Sequence, residues 1–278
     1  MSDPATNDVV RPVPRTELGK GRVLEFDFPG LEIGVAEYEE GPTGCTVFSF
    51  GMRASVSIDV RGGSPDVSAA HRDVVEVVCF AGGSLYGLEA SAGAAAEMLK
   101  RRDYSTKWMD IALVSGAILY DYGPRGNAIY PDKELGRAAI RAMRPGSFPM
   151  GARGAGRSAT ASHGAGAELA GQGGAYRAKG PTKILAFVVV NSYGCIVDRT
   201  GKIVRQADGA RAGTHTAFRE HDALARGDES EARPSAAPVG RPAGARFDGP
   251  RDPAIPRAVG RRRELHGVDA GGRERRSR

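Results

Sequence analysis

The chain has 278 residues, 41% hydrophobic and 6% aromatic, with 39 Lys+Arg against 33 Asp+Glu for a formal charge of +6. Its longest apolar run, Ile184 to Val190, is seven residues, too short to span a bilayer, and residues 1–22 lack the apolar core of a secretory signal. Cys45, Cys79 and Cys195 stand 34 and 116 positions apart with no CxxC pair, which argues against a disulfide framework or structural zinc and for reduced thiols in the cytoplasm.

Residues 1–21 read as a flexible lead-in. Val23–Phe28, Ile33–Tyr38, Cys45–Phe50 and Ser55–Val60 are short β-prone runs, punctuated by Pro29-Gly30, Gly41-Pro42, Gly51 and Gly62-Gly63. Val74–Phe80 fits a strand or a buried helical turn. Leu85–Arg102 reads as a helix, because Leu88, Ala92, Ala95, Ala96 and Leu99 share one face. Ile111–Tyr120 is an apolar strand, and Lys133–Met143 a second helix stopped by Pro145-Gly146. Residues 151–174 are rich in Gly, Ala and Ser. Lys183–Val190 and Cys195–Asp198 then read as a hairpin joined through residues 191–194. Strands, helices and strands again indicate an α/β fold of the α+β or layered-sheet kind rather than a βαβ repeat.

The charge is unevenly spread. Residues 1–205 hold 24 basic and 22 acidic side chains, a net +2, whereas residues 206–278 hold 15 arginines, no lysine and 11 acids, a net +4. Only eight of those 73 residues are large apolar or Cys, and six prolines lie between Pro234 and Pro256. Such a segment buries too little to offset roughly 1–2 kcal/mol of backbone entropy per residue, so 206–278 reads as a disordered tail. Its arginines are interleaved with acids and accompanied by two phenylalanines, which speaks against nucleic-acid binding.

No single segment is a strong chemical motif, and nothing indicates a cofactor, a metal centre or a Ser-His-Asp triad. The stretch from Gly151 to Gly164 fits neither the dinucleotide nor the Walker pattern. It is either close-packed backbone or a wall of N–H groups with Ser158, Thr160, Ser162 or His163 projecting into a site. Gly82-Gly83-Ser84 is either an anion cradle at a helix start or a capped terminus with Ser84 as N-cap. Asn191, after a β-branched run, is a turn residue or a strand-end amide able to donate to an oxyanion. Tyr120, at the end of an apolar strand, is core or site lining.

Taken together, several stretches resemble a known family. Phe26-Asp27-Phe28-Pro29-Gly30, Tyr38-Glu39-Glu40-Gly41-Pro42-Thr43-Gly44, Ala81-Gly82-Gly83-Ser84-Leu85-Tyr86-Gly87 and Tyr120-Asp121 are similar to the 6-aminohexanoate-oligomer (nylon-oligomer) endohydrolases. So are Tyr130-Pro131-Asp132-Lys133, Gly154-Ala155-Gly156, Gly171-Gln172-Gly173 and Val188-Val189-Val190-Asn191, nearly collinearly over residues 22–205. The wider group includes L-aminopeptidase/D-esterases that resemble N-terminal-nucleophile hydrolases. The resemblance implies a four-layer αββα sandwich that cuts itself once to expose a Thr or Ser. It implies short peptides or other small linear amides as substrates, and a homo-oligomer of processed protomers. It also implies that Asn191 supports the oxyanion, that Tyr120 lines the site, and that His163 stands where these enzymes carry a lysine assisting the nucleophile.

One departure matters. The resembled enzymes place a Gly-Asn-Thr-Thr or Gly-Asn-Ser-Thr element after the Asn191 strand, and nothing in 206–278 matches it. The loss of lysine and the rise of Ala, Arg, Gly and Pro after Arg205 are what an out-of-frame reading of a GC-rich gene produces. The expectation is an amide hydrolase by family whose chain, as written, is truncated of its nucleophile and inactive. The alternative is a pseudoenzyme or binding module that keeps the pocket.

Overall fold

The computed structural model describes residues 4–60, 67–68, 73–161, 167–191 and 194–205. The expected tail therefore lies outside the described residues. Three α-helices run along the described chain: α1 Asn7–Val10, α2 Leu88–Arg101 and α3 Lys133–Arg141. The strands are β1 Val23–Glu25, β2 Glu32–Tyr38, β3 Thr43–Ser55, β4 Val74–Ala81, β5 Val114–Ile118, β6 Arg144–Pro145 and β7 Ser147–Pro149. They continue as β8 Thr160–Ala161, β9 Glu168–Leu169, β10 Gln172–Lys179, β11 Thr182–Val189, β12 Ile196–Val197 and β13 Ile203–Arg205.

The central sheet has the order β5-β4-β3-β2-β6, antiparallel except for the parallel pair β4–β5 joined through α2. Its period-2 alternation sorts side chains to two cores. Ala36, Tyr38, Cys45, Val47, Val77, Cys79 and Ala81 face α2 and α3, meeting Ala90, Ala94, Leu135 and Ile140. Ile33, Val35 and Phe48 face the other way, toward Phe148, Leu185 and Phe187. Both faces are therefore covered, which is why β2 reads as nearly continuously buried.

Glycine sets how closely the helices approach. A Cβ on Gly34 would stand 1.9 Å from the Ala139 carbonyl oxygen, and one on Gly136 would stand 2.0 Å from that of Ala90. Helix α3 starts on Asp132, whose carboxylate accepts the Leu135 N–H at 3.0 Å and the Tyr38 hydroxyl at 2.6 Å. Burial and that hydrogen bond push the Tyr38 phenol well above its usual range.

The second core is closed by the hairpin β10–β11, whose Tyr176, Leu185 and Phe187 rest on Phe26, Phe48 and Phe148. Helices, central sheet and hairpin make three layers of an α/β arrangement among the described residues. The expected hairpin between Lys183–Val190 and Cys195–Asp198 is overturned: β11 pairs with β10 across Gly180-Pro181, and β12 pairs with β13. The positive φ of Gly180 (57°) supplies the tight reversal. Gly51 does not end its strand either, since β3 passes through it at φ 66° with a register shift between Ser49 and Ala54. Val56–Val60 forms no strand of its own, and Val23–Phe28 shortens to β1 paired with β7.

Candidate active site

Strands β4 and β5 run parallel, so their carboxyl ends emerge together, and the chains leaving them build the site. The ladder continues past β5, with Leu119 N–H donating to Ala81 O and Ser84 N–H to Leu119 O, each at 2.9 Å. Asp121 follows, buried, and its carboxylate gathers three donors. It accepts Gly83 N–H at 2.8 Å, the Thr43 hydroxyl at 2.6 Å and the Arg125 guanidinium at 2.6 Å. The Asp121 and Arg125 side chains are 0% and 1% exposed. Arg125 also donates to Asp121 O, Asn127 Oδ1 and Ile129 O, and lies 4.4 Å over the Tyr122 ring. A buried pair this thoroughly hydrogen-bonded is the kind that holds its geometry. It ties the turn after β4, the start of β3 and the loop after β5 into one knot.

Tyr120 stands immediately before that knot and is half-exposed rather than core. Its ring meets Tyr122 edge-on at 5.8 Å. Its backbone N–H donates to Asn191 Oδ1 at 3.0 Å. Asn191 is the second residue past β11, so the hairpin layer delivers an amide to the end of the central sheet. With Oδ1 committed to Tyr120, the NH2 end of Asn191 is what it offers to a ligand or to developing negative charge. The structure thus brings together two of the three expected site residues. The third, His163, lies outside the described residues.

The Gly-rich stretch proves structural where it is described. Gly154 N–H donates to buried Glu37 at 2.7 Å, and Ala155 N–H to Thr46 Oγ1 at 3.1 Å, while Thr46 in turn donates to Gln172 Oε1. Those N–H groups are consumed by the fold, so they cannot line a site. Burial raises the Glu37 carboxyl above its ordinary value, against the opposing pull of Gly154 N–H, Arg157 and Arg153. Ser158 is buried and donates to Pro42 O, and Thr160 is buried in the β8–β9 pair; Ser162 lies outside the described residues.

The Gly82-Gly83-Ser84 anion cradle is likewise corrected, since Gly83 N–H is held by Asp121 and Ser84 N–H by Leu119. Ser84 is not an N-cap: it sits at φ 52° in a short 3-10 turn that leads into α2, with no side-chain capping bond at the preceding Gly83. Thr43, Asp121, Tyr122 and Arg125 escaped the sequence reading. Asp121 and Thr43 stand in the sequence only within the stretches that carry the resemblance, and the four-residue spacing of Asp121 and Arg125 lies in a turn where it predicts no pairing.

Among the described residues there is no group of three or more His, Cys, Asp or Glu able to hold a metal, and no helix is long and apolar enough to cross a membrane. The architecture is that of an α/β protein with a polar site at the carboxyl ends of adjacent parallel strands. No protein-family model matches the chain. A NylC-analogous protein of Agromyces sp. (strain KY5R) is 46% identical over 207 residues, 73% of this chain and 67% of that one. The 6-aminohexanoate-oligomer endohydrolase of the same strain is 44% identical over 223 residues, 79% of this chain and 62% of the enzyme. That of Kocuria sp. (strain KY2) is 45% identical over 217 residues, 77% of this chain and 61% of the enzyme. The chain belongs to the 6-aminohexanoate-oligomer endohydrolase family. It spans 61–67% of the length of these relatives. A Burkholderia sp. beta-aminopeptidase superposes with a TM-score of 0.36 at 17% identity over 59% of this chain and 50% of that one, a likeness too loose to carry an argument.

Proposed function

We propose that residues 22–205 are the large-chain portion of an amide-bond hydrolase acting on short linear amides, 6-aminohexanoate oligomers or peptides among them. The observation that carries this is the meeting of Tyr120 N–H and the Asn191 amide at the sheet end, in a chain 44–46% identical to endohydrolases of such oligomers and a protein analogous to them.

In the proposed reaction a Thr or Ser exposed as a new N-terminus attacks the amide carbonyl carbon. Its own α-amine, with a pKa of about 7.7–8.0, takes the hydroxyl proton and passes it to the leaving amine as the C–N bond breaks. Water then splits the resulting ester and regenerates the hydroxyl. The Asn191 NH2 faces the tetrahedral oxyanion, a contact of the kind worth about 2.7–4 kcal/mol in other hydrolases. Tyr120 lines the site, and His163 assists the nucleophile as a neutral imidazole.

Residues 206–278 contain no Gly-Asn-Thr or Gly-Asn-Ser element, so we propose that the chain as written does not turn over. In the same reading the sandwich has a fourth layer and further strands beside β11. An apolar trough of about 470 Å³ lies between Phe50, Val78 and Phe80 on one side and Leu185 and Phe187 on the other. The outer face of β11 also leaves Ile184 and Val188 exposed. The working form is a cytoplasmic homo-oligomer.

The test incubates the purified chain with 6-aminohexanoate oligomers and follows released amines, with intact-mass spectrometry for self-cleavage. No turnover and no cleavage are expected. Recovery of a Gly-Asn-Thr or Gly-Asn-Ser element in another frame downstream of Arg205 is expected on resequencing. Processing to a fragment that begins at Thr or Ser refutes the inactivity, and a monodisperse, uncleaved, oligomer-binding protein favours the pseudoenzyme alternative.

A further inference from the structure

We infer that the crevice beneath residues 16–23 is a binding site for a small carboxylate with an aliphatic body. The cavity holds about 250 Å³ between that segment and the β2–β6 edge of the central sheet. Three guanidinium groups, those of Arg22, Arg144 and Arg153, line it against the single carboxylate of Glu17.

None of the three is saturated. The Arg22 side chain has no hydrogen bond or ion pair among the described residues. Among the described residues Arg144 has one ion-pair contact, at 3.7 Å to Glu17, whose side chain is 90% exposed and holds it weakly. Arg153 donates to Lys20 O at 3.3 Å and stands 3.8 Å from Glu37. Gly21 lies over Arg153 where a Cβ would sit 3.8 Å from both Nε and Nη2, so the backbone roofs that guanidinium and takes one of its donors through Lys20 O.

A concave wall of one charge focuses field into the crevice and attracts anions. Guanidinium forks match the two oxygens of a carboxylate. The remaining lining decides what else the ligand carries. Leu18, Val23, Ile33 and Val35 give an apolar wall, which suits methylenes and disfavours a fully hydrated phosphate. The volume lies below the roughly 300–1,000 Å³ of drug-sized pockets, so the ligand is short.

The crevice flanks β6, whereas Tyr120 follows β5 at the opposite edge of the same sheet. Three to four strand spacings separate them, roughly 14–19 Å, so this is not a subsite of the Tyr120–Asn191 pair. The inference stands without the hydrolase reading. It does meet it in one respect, because each amide bond hydrolysed releases a carboxylate, and a linear product belongs to the ligand class proposed here.

The test is calorimetric titration of the full chain with hexanoate, hexylammonium and inorganic phosphate, repeated on Arg22→Gln and Arg144→Gln. Saturable hexanoate binding is expected, with no hexylammonium binding and phosphate at least about tenfold weaker. Arg22→Gln is expected to weaken hexanoate by about tenfold or more with an unchanged melting temperature, as for loss of a charge-assisted hydrogen bond. Hexanoate binding that neither substitution weakens, no saturable hexanoate binding, or tighter binding of phosphate overturns the proposal. Because the readout is binding, hexanoate uptake in a chain that neither turns over nor processes bears on this site alone.

Discussion

Replacing Asp121 by Asn isolates what the buried knot contributes. The wild-type carboxylate accepts from Gly83 N–H, Thr43 Oγ1 and Arg125 Nη2 at 2.8, 2.6 and 2.6 Å. Asparagine keeps one acceptor oxygen of the two and turns an NH2 toward a hydroxyl or a guanidinium. Arg125, 1% exposed, then keeps its charge with neutral acceptors alone, the backbone carbonyls of residue 121 and Ile129, the amide of Asn127 and at most the one oxygen left on residue 121. Breaking one side of a buried pair costs about 3–5 kcal/mol. Against a domain stability of about 5–15 kcal/mol, that is enough to move a urea midpoint far and, in a marginal domain, to unfold it.

Arg125→Met is expected to lose a similar amount by stranding the carboxylate, whereas Asp121→Asn combined with Arg125→Met removes both charges. The double variant should therefore lose less than the sum of the singles, by about 2 kcal/mol or more. Urea unfolding of the full chain followed by circular dichroism reads the midpoints, and hydrogen exchange of the Gly83 and Tyr120 amides reads the local effect. A loss under about 1 kcal/mol for Asp121→Asn, with additive singles and unchanged exchange, would refute the view that this pair holds the strand ends.

Phe48 bridges the two sheets, its ring 5.4 Å from Phe80, 6.1 Å from Phe148 and 4.9 Å from Phe187; Phe48→Ala should lower unfolding free energy by about 3–5 kcal/mol, measured by urea titration. Cys45 and Cys79 are buried and Cys195 is exposed, and hydrogen bonding to Cys79 together with burial pushes the Cys45 thiol up. A disulfide reagent at pH 8 should accordingly modify one thiol in the native chain and all three in denaturant. Glu37, raised above 4.5 chiefly by burial, binds its proton more tightly folded than unfolded. Its contribution to stability is therefore greatest below pH 4.5 and is lost as pH rises through the folded pKa, so wild type should lose ground to Glu37→Gln over that window in pH-stepped urea titrations.

Much of the central layer was legible because apolar periodicity and local signals agreed. Ile33–Tyr38 and Lys133–Met143 have a regular pattern with glycine, proline or charge at their ends, and each lies within about two residues of its expected bounds, whereas Cys45–Phe50 starts within two residues but runs on to Ser55 through Gly51. The second sheet was half-hidden. Gln172-Gly173-Gly174-Ala175-Tyr176-Arg177 has little β-prone character, and it forms β10 because Tyr176 and its backbone rest on a ready-made partner in β11. That tertiary support is invisible locally, although Gly180-Pro181 marked the turn. The buried ion pair was hidden for a different reason. Asp121 and Arg125 look like solvated loop residues until Gly83 and Thr43, far away in sequence, are folded onto them. The Gly-rich stretch left two readings open, because a glycine needed for close packing and a glycine freeing an N–H for a ligand are spelled alike; the structure takes the packing one where it is described.

Whether Asn191 serves the fold or a ligand can be decided without turnover. The Tyr120 N–H that it caps lies at the edge of the sheet, on a half-exposed residue. Water can satisfy an exposed edge donor at little loss, so the net worth of that hydrogen bond is about 0.5–1.5 kcal/mol. Asn191→Ala should accordingly cost no more than about 1 kcal/mol in urea unfolding. Asn191→Asp keeps an oxygen that accepts from Tyr120 and replaces the NH2 donor by a charged oxygen, so at this exposed position it should stay within about 1 kcal/mol of wild type in stability. If both hold, what distinguishes asparagine from its neighbours in size is the donor it turns away from Tyr120, and that donor has no structural task. A loss of more than about 2 kcal/mol for Asn191→Ala would mean that the amide is a structural rivet between hairpin and sheet, and the oxyanion role would have to be sought elsewhere.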